Sequence, residues 1–173
     1  LKIKKAKRVL TKIGDIFSIP INKKEKRYMQ LIAFDLTQLN SDVVRIFEKK
    51  YAIEDNPDME SIIEDNVLVC AHCVTKFGVQ RDLWEKVGKS PDVGNIREII
   101  FKGTSDYGHK QGEEPIKLSY NWHIWRIGDE NFTNVRNLED ENRKAYVGLV
   151  INPLGIVELA KGNKYPLNYP AFE

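Results

Sequence analysis

Apolar positions in the first third of the chain recur in short runs rich in β-branched and aromatic residues. In "KIGDIFSIPI" the alternation through Ile13, Asp15, Phe17 and Ile19 is imperfect. Gly14-Asp15 before it and Pro20 after it nevertheless bound an opening strand. "RYMQLIAFDL" (27–36) follows the turn-like "NKKEK", which predicts a hairpin. In "DVVRIFEKKY", Val43, Val44, Ile46 and Phe47 satisfy both the helical and the extended period, so strand and helix both fit.

The period then changes. "NPDMESIIEDN" offers Asn56 as a cap and Pro57 at the first helical position, with Asp58 and Glu60 at the positive end of the dipole. Met59, Ile62 and Ile63 give one apolar face, which predicts a short amphipathic helix ending near Asn66. "VLVCAHCVTKF" reads as a buried strand. "VQRDLWEKVGK" spaces Val79, Leu83 and Val87 four apart, with Trp84 beside them and Gly88 as a stop, and reads as a second helix. "IREIIFKG" and "IKLSYNWHIWRIG" read as strands around the loop "TSDYGHKQGEEP". Near the end, Asn152, Pro153 and Gly155 suit a type I turn joining "AYVGLVI" to "IVELAKG" as a hairpin. These elements predict an α+β fold, largely antiparallel, as a strongly bent sheet or partly open barrel with two or three short helices.

Length and charge refine this picture. A chain of 173 residues suits one domain, and no run approaches the roughly 20 apolar residues that cross a bilayer. The basic N-terminus has no apolar stretch of the kind a signal peptide needs. Lys2, Lys4, Lys5, Lys7, Arg8 and Lys12 supply six of the 27 basic residues; without them 21 basic residues face 25 acidic ones. The expected organisation is a solvated basic arm, residues 1–11, before a mildly acidic domain, residues 12–173.

Cys70 and Cys73 stand three apart in an extended run, where positions three apart point to opposite faces. A structural zinc site needs further ligands and a redox pair normally sits at a helix N-terminus, so buried core thiols fit better. Two cysteines make no disulfide framework and favour a reducing compartment. In "SYNWHIWRIG" the alternation sets Tyr120, Trp122 and Ile124 against Asn121, His123 and Trp125. Aromatic strands can stack bases, but no Lys or Arg is interleaved before Arg126, so sheet packing fits better, with His123 as a sheet residue. Neither a G-x-S-x-G, a phosphate-binding glycine loop nor an H-E-x-x-H is present. Glu113-Glu114 and Asp140-Glu141 are adjacent in loops, not facing. No catalytic group, metal or cofactor is expected.

One charge feature stands out. Glu54, Asp55, Asp58, Glu60, Glu64 and Asp65 fall within twelve residues with no Lys or Arg between them. Helix N-terminal preference accounts for part of this, and a solvated face is the plainer reading. The functional reading is an anionic patch that steers and binds a basic protein.

Four stretches, "GDIFSIPI", "VLVCAHCV" leading into "LWEKVGK", "YNWHIWRIG" and "GLVINPLGIVEL", occur in an order and spacing that resembles the immunity protein 26 family, predicted antidotes of bacterial polymorphic-toxin systems. The resemblance implies a cytoplasmic, non-enzymatic protein that binds a cognate toxin and occludes its active surface. A basic nuclease would suit the acidic run, and specific nucleic-acid binding is not expected. The alternative is a small SH3-like barrel that binds or acts on nucleic acid, since "GDIFSIPI" also looks like the first strand of such barrels. A basic concave face would favour that alternative, and an acidic or mixed face an immunity protein.

Overall fold

In the computed structural model, residues 8–165 and 167–173 are described; Lys2, Lys4, Lys5 and Lys7 of the basic arm lie outside them. The opening hairpin forms as its sequence implies: β1 (Asp15–Pro20) pairs antiparallel with β2 (Glu25–Asp35). Asn22 sets the turn by accepting from the backbone N–H groups of Lys24 and Glu25 at 2.8 and 2.9 Å. The ambiguous segment after it is strand: β3 (Ser41–Phe47), with β4 (Tyr51–Ala52) turning back onto β2. All seven residues of β3 are buried, because both faces of the sheet are covered there. An apolar run without alternation is what such a strand requires, and it explains why the periodicity could not decide.

Helix α1 (Met59–Ile63) follows, then β5 (Val67–Cys73), α2 (Thr75–Gln80) and β6 (Glu85–Lys89). β1 to β6 form one sheet in the order β5-β3-β2-β1-β6, with β4 beside β2. A second sheet contains β7 (Ile100–Thr104), β8 (Trp122–Arg126), β9 (Thr133–Arg136) and β10 (Tyr146–Val147), in the order β10-β7-β8-β9. All pairings are antiparallel except β10 with β7. The fold is α+β, with two sheets, three short helices and no closed barrel among the described residues. None of those helices is long and apolar enough to cross a membrane.

Four local expectations are corrected. "VQRDLWEKVGK" is not one helix. It straddles the end of α2 and the whole of β6, and Asp82 reverses the chain between them at φ 55°. Trp84 Nε1 donates to the Thr75 carbonyl at 3.0 Å and folds the segment back onto the start of α2, so the four-residue spacing was coincidental. "NPLG" is not a hairpin turn either: α3 (Pro153–Ala160) begins there. Asn152 Oδ1 accepts from Gly155 N at 2.9 Å and Pro153 opens the helix, so the Asn-Pro pair that suits a turn here serves as a cap. Likewise α1 is capped by Asp58 rather than Asn56 and ends at Ile63. Finally, the β8 strand begins only at Trp122, and a 3-10 turn over Ile96–Glu98 precedes β7.

Three clusters hold these elements together. Phe17, Met29, Leu31, Val44, Ile46 and Cys73 pack on one face of the first sheet beneath Ile156 and Leu159 of α3. Ala33, Val43 and Cys70 face Phe101 and Trp125 of the second sheet and Ile127 just after β8. Ile16, Tyr28, Phe47 and Tyr51 seat Ile62 of α1. An irregularity in the β2–β3 register between Leu31 and Ala33 leaves Ile32 as an extra residue, so that the consecutive Ile32 and Ala33 both join the cluster facing the second sheet.

Candidate functional site

All six carboxylates singled out in the sequence lie on the connection from β4 through α1 to β5, anchored from below by Ile62. The structure divides them by task. Asp55 Oδ2 accepts from Ala52 N at 3.0 Å and closes the turn after β4. Asp58 caps α1, accepting from Ser61 N at 2.8 Å and from Ser61 Oγ at 2.9 Å. Those two hydrogen bonds hold its carboxyl below the ordinary aspartate value. Asp65 accepts from Lys49 N at 2.7 Å and Asn66 N at 2.8 Å, tying α1 to the end of β3.

Glu54, Glu60 and Glu64 are exposed, and their carboxylates accept no hydrogen bond from any described residue. Among the described residues none of the six carboxylates forms an ion pair. The result is an acidic surface free of ion pairs, on a lobe fixed by its own aspartates and bordered by Lys26, whose Nζ donates to the Ile53 carbonyl at 2.7 Å. Its chemistry is that of a steering and contact surface for a cationic partner.

The two thiols sit where the extended geometry puts them. Cys70 faces the second sheet and Cys73 the α3 side, in different clusters. Burial pushes the Cys70 thiol up to about 12, and burial together with Asp42 raises that of Cys73 well above its ordinary value. Iodoacetamide should therefore label neither in the native protein at pH 8 and both after denaturation. Labelling of the native chain would contradict their core role. Replacing both, Cys70→Val with Cys73→Ala, should cost about 1–3 kcal/mol by denaturant unfolding. His123 is a half-buried sheet residue between Trp125 and Phe132, and burial lowers its pKa.

The sequence reading missed a buried polar centre. Asp35 closes β2 and His72 sits between the two cysteines, both with no exposed surface. His72 Nε2 meets Asp35 Oδ2 at 2.7 Å, and Trp125 Nε1 donates to the same oxygen at 2.9 Å. Thr37 Oγ1 donates to Asp35 Oδ1 at 2.7 Å. Burial alone would raise the Asp35 carboxyl, but these three partners and the His72 charge outweigh it and hold it below the ordinary value. An Asp–His pair suggests catalysis, yet neither residue lines the cleft between the sheets or the one beside Phe34 and Lys76. Its task is to tie the first sheet to Trp125 of the second. The only sequence signal was a lone polar residue in each of two apolar runs.

Between the sheets lies a cleft of about 790 Å³ whose charged lining is mixed, with Arg45, Arg97, Arg126 and Lys144 against Glu98 and Glu141. Val67, the first residue of β5, lines it, which places the cleft within about two residues' reach of Asp65. No curated protein and no solved structure matches this chain. A family model does, over the whole first sheet and β7: residues 12–111, more than half of the chain, match the family described as Immunity protein 26. The chain belongs to the Immunity protein 26 family.

Proposed function

We propose that the protein neutralises a cognate bacterial toxin by binding it and covering its active surface, without catalysing a reaction. Family membership supports a protective role. The observation that carries the mode of action is the acidic lobe, where Glu54, Glu60 and Glu64 are left free while Asp55, Asp58 and Asp65 brace the backbone. A surface so fixed loses little entropy on binding, and its charge attracts a basic partner. A toxin that cuts nucleic acid presents such a surface, because its own substrate is a polyanion; a basic nuclease is therefore the partner class this reading names. The protein acts in the cytoplasm on this account, with residues 12–173 as one binding unit and no cofactor.

The competing reading, specific nucleic-acid binding, wants clustered cations on a folded face. The mixed cleft bordered by the acidic lobe favours a protein partner instead. Co-expression with the toxin encoded beside this gene tests the proposal. Growth should be restored, and unrelieved toxicity despite abundant folded protein would overturn it.

A further inference from the structure

The cleft between the sheets has a feature that internal packing leaves unexplained. Arg45, on β3, lines it and is nine-tenths buried. Its Nε donates to Gln30 Oε1 at 3.0 Å and its Nη2 to the Asp92 carbonyl at 3.1 Å, both neutral acceptors. Among the described residues no carboxylate lies within ion-pair distance of it. Gln30 is itself fully buried and donates to the Ser90 and Asp92 carbonyls at 3.1 and 3.0 Å, so it holds the guanidinium in place from behind. The Asp92 carboxylate offsets only part of the cost of burying this cation, and two of its five N–H donors are committed to neutral oxygens.

The surroundings fix that guanidinium in the wall of the cleft. Gly94 stands against it at φ 71°, and a Cβ there would lie 2.6 Å from Arg45 Nη1. Glycine therefore meets the backbone requirement and lets the loop close against the guanidinium, which fills the space a Cβ would take. At the rim Arg126 is paired with Glu141 at 3.2 Å and Arg97 with Asp129 at 3.2 Å. Lys144 is exposed and forms no ion pair among the described residues, leaving it and the partly balanced Arg45 against Glu98. The remaining walls include the apolar Val93, Ile99 and Ile100 and the ring of Tyr146.

We propose that this cleft receives a carboxylate side chain carried on a short apolar segment of the protein partner, with Arg45 as its counter-ion and Lys144 at the entrance. A planar guanidinium with free parallel donors matches a carboxylate. The apolar walls match the residues on either side of it. A cavity of this size takes a few side chains, not a duplex. A long polyanion would also have to pass the free carboxylates of the neighbouring acidic lobe, whereas a single acidic side chain would not. Acidic lobe and cationic cleft then form a two-signed surface that fixes the orientation of the partner. The inference rests on the reading that the partner is a protein, but its test needs no toxin.

The full chain is titrated with a blocked Leu-Glu-Leu peptide and followed by backbone amide NMR. Saturable shifts are expected at Asn95, Ile99 and Tyr146. The Leu-Gln-Leu peptide and inorganic phosphate should each bind at least about tenfold more weakly. Arg45→Gln should abolish binding. Lys144→Glu, at an exposed position that leaves the core intact, should weaken it by about fivefold or more while the spectrum stays native. Equal binding of the Gln peptide or of phosphate, indifference to both substitutions, or absence of saturation would overturn the proposal. Tighter binding of a short thymidine oligonucleotide at the same residues would assign the cleft to nucleic acid and overturn it too. If the peptide binds but the toxin does not, the immunity reading fails and the cleft assignment stands.

Discussion

Asp35→Ala should destabilise the protein by about 3–5 kcal/mol, the cost of leaving buried partners of a charged group without it. In a chain of this size that lowers Tm by something on the order of 10 °C. Three buried groups lose their acceptor together: His72 Nε2, Trp125 Nε1 and Thr37 Oγ1. Because Trp125 belongs to the second sheet, the loss loosens the joint between sheets and not one strand alone. A double-mutant cycle of Asp35→Ala with Trp125→Phe should show coupling of about 0.5–3 kcal/mol; strict additivity would deny that the joint exists. The pH dependence has a defined sign. The folded carboxyl titrates below its ordinary value of 3.8. Its ionised form therefore stabilises the fold fully above that value and less and less as pH falls through the folded one. The gap between wild type and Asp35→Ala should narrow below about pH 4. A gap that widened on acidification would contradict the account.

The second large effect concerns association. Reversing Glu54, Glu60 and Glu64 to Lys should slow binding of the toxin by about tenfold or more at low ionic strength, with a much smaller change in the dissociation rate. The defect should shrink as salt rises, because exposed charges act over a screened range of about 10 Å at 0.1 M. These three are the informative positions. Reversal at Asp55, Asp58 or Asp65 would also remove hydrogen bonds that hold the lobe, confounding recognition with folding. Equal association rates for wild type and triple variant at low salt would remove the lobe from the interface.

How much of this was legible beforehand varied with the kind of signal. The β1–β2 hairpin announced itself because Asn22 and its polar neighbours have a local turn chemistry. The opposed cysteines followed from strand geometry alone. Failures came where one local signal serves two structures: Asn152-Pro153 caps α3 as readily as it would turn a hairpin, and only the burial of Ile156 and Leu159 decides. The Val79–Leu83–Val87 spacing misled because Trp84 packs back across a chain reversal that no periodicity encodes. Of the site, the acidic run was visible as composition, but its split into bracing aspartates and free glutamates was not. That split depends on which backbone N–H groups lie within reach. Asp35, His72 and Trp125 are separated by 37 and more residues in sequence, so their meeting belongs to the tertiary fold. The same holds for Arg45, which as a sequence position looked like one more charge on an ambiguous segment.

Silencing of a toxin through the acidic lobe would show first in the interaction itself. The purified protein would be titrated into the toxin encoded beside its gene, with toxin activity recorded in the same samples. The account predicts saturable binding, with activity falling in proportion to the complex formed and with the on-rate of wild type exceeding that of the Glu54, Glu60 and Glu64 reversal at low salt. Absence of binding by the wild-type protein, or a saturated complex in which the toxin keeps its activity, would contradict it.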